Sequence, residues 1–370
     1  MKLLHIADLH IGRKLKGFSL LDDQEYVLNQ IIDIAKKQKA KGIIIAGDIY
    51  DTSIPNVDAI NLFDKFLSDI HKLNISCYVV SGNHDNISRV SFGADILSKE
   101  NIFFAQKYSG EISPINIGEG IIIWLLPFIR PADVREFHSD FSTSNYEEMM
   151  EKVIERFKLD KSKTNILVAH QFITANGKSP QRSDSETIYL GTMDNIDYSY
   201  FKDFDYVALG HIHRPQSMGR KTVRYAGSPL KYSFSEVNHK KSITLLDIKN
   251  KKVEIKEIPL LPKKDLKEFK GKFEDLIKEN CEDFVHITLT DDFIPDAKNR
   301  LEGSFPYLMQ LDYDNYKTQN TFKSENFEIQ KQSDIYDSFR DFFEMQNGVK
   351  LNKKQKTIIG EILEEIAGDI

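Results

Sequence analysis

Apolar and polar positions alternate in blocks along the first 260 residues. Short apolar runs with β-branched side chains read as buried strands, and segments with apolar residues three or four apart read as helices between them. The first strand is followed by Asp22 to Lys41, where Val27, Ile31, Ile34 and Ala35 share one helical face. Pro55 opens a second helix carrying Ile60, Phe63, Phe66, Leu67 and Ile70, and a third is expected near Ile87–Ser98. Beyond Ile102 the pattern is richer in strands, at Ile112–Ile117, Gly120–Leu126, Thr222–Tyr225, Ser242–Ile248 and Lys252–Ile258. The last two, with Lys249–Lys251 between them, predict a hairpin. Residues 1–260 are therefore expected to form one domain with two sheet layers.

Pro259 and Pro262 mark a boundary. Residues 263–314 are expected to form a small α/β domain: a helix with Leu266, Phe269, Phe273, Leu276 and Ile277, a strand at Phe284–Thr290, and another near Pro306–Tyr313. Residues 315–332 are polar and read as a linker. Residues 333–370 carry two helical patterns, one with Ile335, Phe339, Phe342 and Phe343, the other with Ile358, Ile359, Ile362, Leu363 and Ile366, separated at Gly348. Helices this short need a surface to cover their apolar faces, and a partner offering a groove is the favoured one.

Five of the strand-like runs end abruptly in metal-binding side chains: Leu3–His10, Ile43–Asp51, Tyr78–Asp85, Ile166–His170 and Tyr206–His213. In open α/β sheets ligands collect beyond the carboxyl ends of strands. One fold can thus bring Asp8, His10, Asp48, Asn83, His170, His211 and His213 together. Carboxylate, amide oxygen and imidazole ligands without a thiolate suit a pair of divalent ions such as manganese.

Composition narrows the alternatives. At 370 residues the chain is long enough for two or three domains of roughly 150 residues. No apolar run approaches the roughly 20 residues of a membrane helix, and Asp8 and His10 interrupt the N-terminal one, so neither a membrane span nor a signal peptide is expected. Cys77 reads as a buried thiol, and a cytoplasmic location follows. A net charge of −6 argues against a simple DNA-binding module. Basic clusters nevertheless lie near the motifs, at Arg13, Lys14 and Lys16, at Lys178 and Arg182, and at Arg214, Arg220, Lys221 and Arg224. His5, His71, His138, His239, His286 and Trp124 are assigned structural places. Asp85 is open between a turn residue and one that orients His84 or its loop, and Gln171 has no assigned role.

The ordered blocks D-x-H, G-D-x-x-D, G-N-H-D, a strand-end His and G-H-x-H resemble the signature of the calcineurin-like metallophosphoesterases. With Gly227-Ser228-Pro229, Ser233-Phe234-Ser235-Glu236, the small domain and the terminal helices, most of the chain resembles the SbcD nuclease subunits. The resemblance implies an α/β, two-sheet metallophosphoesterase sandwich flanked by helices, with a small α/β capping domain and a C-terminal helix pair. It implies that Asp8, His10, Asp48 and His213 hold one ion and Asp48, Asn83, His170 and His211 the other, with Mn2+ as the metal and Asp48 as the bridge. It makes His84 a catalytic residue facing the substrate phosphate, and Asp51 the carboxylate that hydrogen-bonds it; a helix N-cap is the other reading of Asp51. Metal-dependent 3′-to-5′ exonuclease and endonuclease action on DNA is implied, with an SbcC-like coiled-coil ATPase gripping the C-terminal helices. A homodimer packed through Ala59–Ile70 and Ile87–Ser98 is implied as well. The chain has no G-x-x-x-x-G-K-[ST] segment, so ATP hydrolysis belongs to the partner. A small-substrate phosphodiesterase, a phosphoprotein phosphatase and a non-catalytic metal-bound scaffold are the alternatives. Thr52-Ser53 after Asp51, where such phosphatases carry Arg-Gly, disfavours the second.

Overall fold

The strand Lys2–Ile6 lies at the centre of a six-stranded sheet. It pairs in parallel with Gly42–Ala46 and antiparallel with Ser242–Lys249. From edge to edge the order is Lys252–Pro259, Ser242–Lys249, Lys2–Ile6, Gly42–Ala46, Ser76–Val80 and Ile102–Phe104. A second six-stranded sheet runs Gln216–Ser217, Val223–Tyr225, Tyr206–Gly210, Thr164–His170, Ile121–Leu125 and Ile115–Gly118. The computed structural model describes residues 1–138, 145–186, 195–314, 339–340, 343–344 and 349–359.

The central strands are apolar on both faces because both faces are covered. Leu3, Ile44, Tyr78 and Val80 of the first sheet meet Ile123, Ile166, Val168 and Ala208 of the second in one buried cluster. The opposite face of the second sheet, with Trp124, Leu167, Val207 and Leu209, packs against Met149, Met150 and Val153 of the helix Tyr146–Ile154. Trp124 is core as expected, its indole N–H donating to Asn165 Oδ1 at 3.1 Å. The architecture is a two-sheet α/β sandwich with flanking helices.

The first helix spans Leu21–Gln38 and buries Val27, Leu28, Ile31, Ile32 and Ala35. Asp22 and Asp23 in its first turn and Lys36 and Lys37 in its last complement the helix dipole. The second spans Val57–Lys72, and the Asn56 side chain caps it by accepting from the Ala59 amide at 2.8 Å, the usual device for an orphan N-terminal donor. The third does not form as one helix. Gly93 takes φ +73°, and short helices Ile87–Val90 and Ala94–Leu97 stand on either side of it. The predicted hairpin forms between Ser242–Lys249 and Lys252–Pro259, with Asn250 and Lys251 both at positive φ, as a two-residue turn of this kind requires.

The chain divides into Met1–Asp265 and Leu266–Ile370. In the second unit Leu266–Gly271, Phe284–Leu289 and Leu308–Tyr313 form a parallel three-stranded sheet. The expected helix from Leu266 to Ile277 is thus a strand followed by the one-turn helix Phe273–Leu276. The spacing is helical, but pairing of Leu266–Gly271 with Phe284–Leu289 outweighs that local preference. The proposed linker and most of the C-terminal helix pair, including Ile335, Phe342, Ile362, Leu363 and Ile366, lie outside the described residues. Residues 339–340, 343–344 and 353–359 are helical. No helix among the described residues is long and apolar enough to cross a membrane.

Candidate metal centre

The loops after the strands are held in an unusual backbone conformation. Asp8, His10, Asp48 and His211 all have positive φ, at 55°, 43°, 48° and 103°. Such angles cost a non-glycine residue on the order of 1 kcal/mol or more each and persist where the surroundings enforce them. Here the Asp8 amide donates to Gly47 O at 3.0 Å and the His10 amide to Asp48 O at 2.9 Å, locking the two loops together. Close approach also demands glycine at two positions. A Cβ on Gly82 would lie 2.0 Å from Asp48 Oδ1, and one on Gly210 would lie 1.8 Å from the Ala46 carbonyl oxygen.

These loops aim the predicted residues at one place. Asp48 Oδ2 lies 3.6 Å from His10 Nε2 on one side and 3.4 Å from His170 Nε2 on the other. On the first side, His10 Nε2 faces His213 Nε2 at 3.1 Å. On the second, Asn83 Oδ1 is 3.1 Å from His170 Nε2 and 2.9 Å from His211 Nδ1. Asp8 Oδ1 accepts from the His211 amide at 2.8 Å and lies 3.9 Å from His170 Nδ1. Ligand atoms of Asp8, His10 and His213 all fall within 4.8 Å of one another, as do those of His10, Asp48 and His84, and of Asp8, Asp48 and His170.

This donor set fits cations. Asp8 Oδ2 is buried with no hydrogen-bond partner, and an orphaned carboxylate oxygen among imidazoles is costly without a counter-charge. The imidazoles are also oriented from behind, as metal ligands are. His170 Nδ1–H donates to the Ala46 carbonyl at 2.8 Å, which leaves Nε2 to face Asp48 and Asn83. His213 Nδ1 is 2.8 Å from Ser185 Oγ and 3.4 Å from Glu236 Oε1. His10 Nδ1 lies 3.5 Å from Asp51 Oδ1.

Electrostatics of the cluster carry the same message. Burial, then the Asp48 charge, push Asp8 up to about 8 against the pull of His170. Burial also acts to raise Asp48, but His170, His10 and His84 outweigh it and hold that carboxyl well below its usual range. Burial acts to lower His170, but Asp48 and then Asp8 outweigh it and raise the imidazole to about 9. Burial drives His10 down, and takes His211 and His213 to about 3. Without a cation, protons on His170 and Asp8 offset the burial of the cluster, and a divalent ion binding there would displace them.

His84 stands beside the cluster, with its amide donating to Asp48 Oδ1 at 2.9 Å and its ring 4.8 Å from that of His10. The carboxylate partner expected for it from Asp51 is replaced by a different contact. His84 Nδ1–H donates to the Asp51 backbone carbonyl at 2.9 Å, while the Asp51 carboxylate accepts from Arg13 at 2.8 Å and faces His10. Arg13 supplies a fixed charge that draws this carboxylate, and the loop between Asp48 and Asp51 turns the main chain toward His84. Asp85 orients the loops: its carboxylate accepts from the amides of Gly82, Ile49 and Tyr50 at 2.8, 3.1 and 3.0 Å. Gln171 is structural, donating to the Ile129 carbonyl at 3.0 Å and accepting at its own carbonyl from Tyr225 Oη.

Several supporting residues carry no signal in the sequence. Gln24 donates from Nε2 to the His10 carbonyl at 2.7 Å and accepts at Oε1 from the Gly12 amide at 2.9 Å. Tyr232 donates to the Leu9 carbonyl and packs its ring against His10 and His213. Glu186 Oε1 accepts from the His213 amide at 2.8 Å. Glu236 is the exception, since it lies within the block that carries the family resemblance. His286, which has no metal-like neighbours along the sequence, lies between Glu268 and Asp312, brought beside it by parallel strand pairing. His5, His71 and His138 contact Tyr206, Glu100 and Tyr108 respectively.

Residues 1–215 match the calcineurin-like phosphoesterase family. A Staphylococcus saprophyticus subsp. saprophyticus protein, named as the SbcD component of the SbcCD nuclease, is 32% identical over 378 residues, covering 99% of both chains. A Staphylococcus epidermidis protein of the same name is 34% identical over 346 residues, covering 90% of both. With these matches and the carboxylate–imidazole cluster at one rim of a two-sheet sandwich, the chain belongs to the calcineurin-like phosphoesterases, in the branch of the SbcD nuclease subunits.

Proposed function

We propose that this chain is the nuclease subunit of a DNA-processing complex and hydrolyses phosphodiesters with two divalent ions, Mn2+ by preference. Asp8, His10, Asp48 and His213 would hold one ion, and Asp48, Asn83, His170 and His211 the other. The observation that carries this reading is the placement of Asp48 Oδ2 between His10 Nε2 and His170 Nε2, at 3.6 and 3.4 Å. Bound there, the ions supply positive charge for the phosphoryl oxygens and make a water acidic enough to attack.

The chain's own groups do the rest. The Asn83 amide oxygen contributes a ligand without a charge, so the pocket keeps attraction for a phosphodiester. His84 Nδ1–H is committed to the Asp51 carbonyl at 2.9 Å, which makes Nε2 the nitrogen that would meet substrate. As the imidazolium, His84 donates its Nε2 proton to the leaving oxygen, and the neutral ring can take a proton back. Asp51 holds this arrangement through its main chain, while its carboxylate fixes Arg13 and His10.

The family resemblance supports 3′-to-5′ exonuclease and endonuclease action, including hairpin opening, in DNA repair and recombination. It also supports an SbcC-like ATPase as partner, bound by residues 333–370, a capping role for residues 263–314, and a cytoplasmic location. A homodimer is supported by exposed apolar side chains on the expected helices, namely Val57, Ile60, Phe92 and Ile96, since exposed apolar surface marks association sites. The test is manganese-dependent cutting of linear duplex and hairpin DNA, set against a chromogenic phosphodiester and a phosphomonoester. Cutting of the chromogenic diester alone would replace this reading with a small-substrate phosphodiesterase.

A further inference from the structure

Residues 260–265, where the first unit ends, are held along their length. The Leu260 amide donates to the Lys241 carbonyl at 2.9 Å. The Gln30 side chain donates to the Leu261 carbonyl at 3.1 Å and accepts from its amide at 2.9 Å. The Lys264 amide donates to Asp23 Oδ1 at 3.1 Å, and Lys231 Nζ pairs with Asp265 Oδ1 at 2.8 Å.

Three of these holders lead straight to His10 and His213. Lys241 Nζ donates to the His213 carbonyl at 2.9 Å. Gln24, next in the chain to Asp23, donates to the carbonyls of His10 and Leu9 at 2.7 and 3.2 Å and accepts from the Gly12 amide at 2.9 Å. Tyr232, next to Lys231, donates to the Leu9 carbonyl and packs its ring 5.4 Å from that of His10 and 5.7 Å from that of His213. His10 has φ +43°, a conformation that a non-glycine residue keeps where its surroundings enforce it. The other half of the centre is braced from within the loops themselves. His170 donates to the Ala46 carbonyl, and Asp85 ties the loop of Asn83 to the amides of Ile49 and Tyr50.

We infer that residues 260–265 position the His10 and His213 half of the centre through Gln24, Tyr232 and Lys241, so that the affinity for one ion, rather than for its neighbour, follows how this stretch is held. Gln24, Tyr232 and Lys241 are then positioning residues, acting on the ion through the backbone and rings of its ligands. The inference rests on the two-ion reading and deepens it by naming what sets the affinity of one ion.

Two measurements on the full chain keep the claims apart. Asp23→Ala cuts the tie to Lys264 and leaves every candidate ligand in place, whereas Asp23→Asn keeps the acceptor oxygen. Hydrogen exchange in chelator reads the metal-free chain. There Asp23→Ala is expected to speed exchange in residues 9–13 by about two- to tenfold, the worth of one hydrogen bond, and to leave residues 82–86 as they are. Isothermal titration with Mn2+ is expected to show one of two ions bound about tenfold more weakly and the other as before. In a His213→Gln background, which removes a ligand of the braced half, Asp23→Ala should make no further difference. Asp23→Asn should match the unaltered chain in both measurements. Gln30→Ala, which releases Leu261 at the surface, repeats the test away from the core, with the same direction expected. Unchanged exchange at residues 9–13 in both alanine variants would overturn the inference. So would equal acceleration at residues 82–86, the mark of general loosening, or an equal loss of affinity for both ions. The expected exchange pattern in a chain that takes up no Mn2+ would instead overturn the two-ion reading and leave the link from residues 260–265 to His10 standing.

Discussion

Glu236 and Lys241 form an ion pair at 2.5 Å, both buried, directly behind His213. Ser185 Oγ donates to Glu236 Oε1 at 2.5 Å, and Lys241 also donates to the His213 carbonyl at 2.9 Å. Burial acts to raise Glu236, but the Lys241 charge outweighs it and holds the carboxyl far below its usual range, whereas burial prevails at Lys241 and lowers it. Removing one partner leaves the other charge buried. Glu236→Gln is therefore expected to destabilise the fold by about 3–5 kcal/mol and to weaken metal binding about 10–100-fold. Urea denaturation and a metal titration read these effects separately. Adding Lys241→Met to that variant should recover part of the stability and none of the metal affinity.

His84→Asn is expected to lower DNA cleavage by about 10²–10⁴-fold, the usual share of a general acid. The ions should stay, since Asp8, His10, Asp48, Asn83, His170, His211 and His213 are untouched. Cleavage rates with metal content measured on the same sample decide it. Full nuclease activity in the variant would remove His84 from the reaction.

Gly82→Ala places a methyl group against the Asp48 carboxylate, 2.0 Å from Oδ1. Asp48 must move, so both ions are expected to bind at least about tenfold more weakly, in the range seen for misaligned ligands. Gly303→Ala, where a Cβ meets nothing within 4 Å, serves as the control. Isothermal titration with Mn2+ on the two variants makes the comparison.

His5 is buried and its pKa is lowered to about 3, by burial first and then by the Arg224 charge. The unfolded chain takes up a proton at this residue below about pH 6.5, and the folded chain does not until about pH 3. Stability is therefore lost as pH falls through that window, by about 2 kcal/mol between about pH 7 and about pH 5. His5→Gln should remove that share of the acid slope. Urea unfolding in chelator at the two pH values checks it without interference from bound metal.

Deleting residues 333–370 should abolish association with the ATPase and leave manganese-dependent cleavage of single strands. A pull-down with the ATPase, paired with a nuclease assay, reads both, and undiminished association would place the partner surface elsewhere.

Much of this centre is legible in the chain because each candidate ligand follows an apolar run closely. A strand that ends at Ala46 or Val80 leaves little freedom for Asp48 or Asn83. The supporting residues are less legible, since they come from distant segments with ordinary local patterns. Gln24 looks like any polar helix residue, and only the fold shows its amide beneath His10. Asp51 is instructive in another way: the residue is in place beside His84, but whether main chain or side chain makes the contact depends on Arg13. At Leu266 to Gly271, spacing misleads because an edge strand with Lys267, Glu268 and Lys270 outward needs few apolar positions. The helix near Ile87 breaks at Gly93 for a backbone reason that apolar spacing cannot display.

The candidate ligands are divided between the two layers. Asp8, His10, Asp48 and Asn83 follow strands of the first sheet, while His170 ends a strand of the second and His211 and His213 follow another. A bound ion pair is therefore a rivet through the sandwich at one rim, and any opening of the layers there must release it. Metal occupancy and resistance to prying the sheets apart are one quantity seen from two sides, so a chelator loosens the same edge at which the substrate is cut.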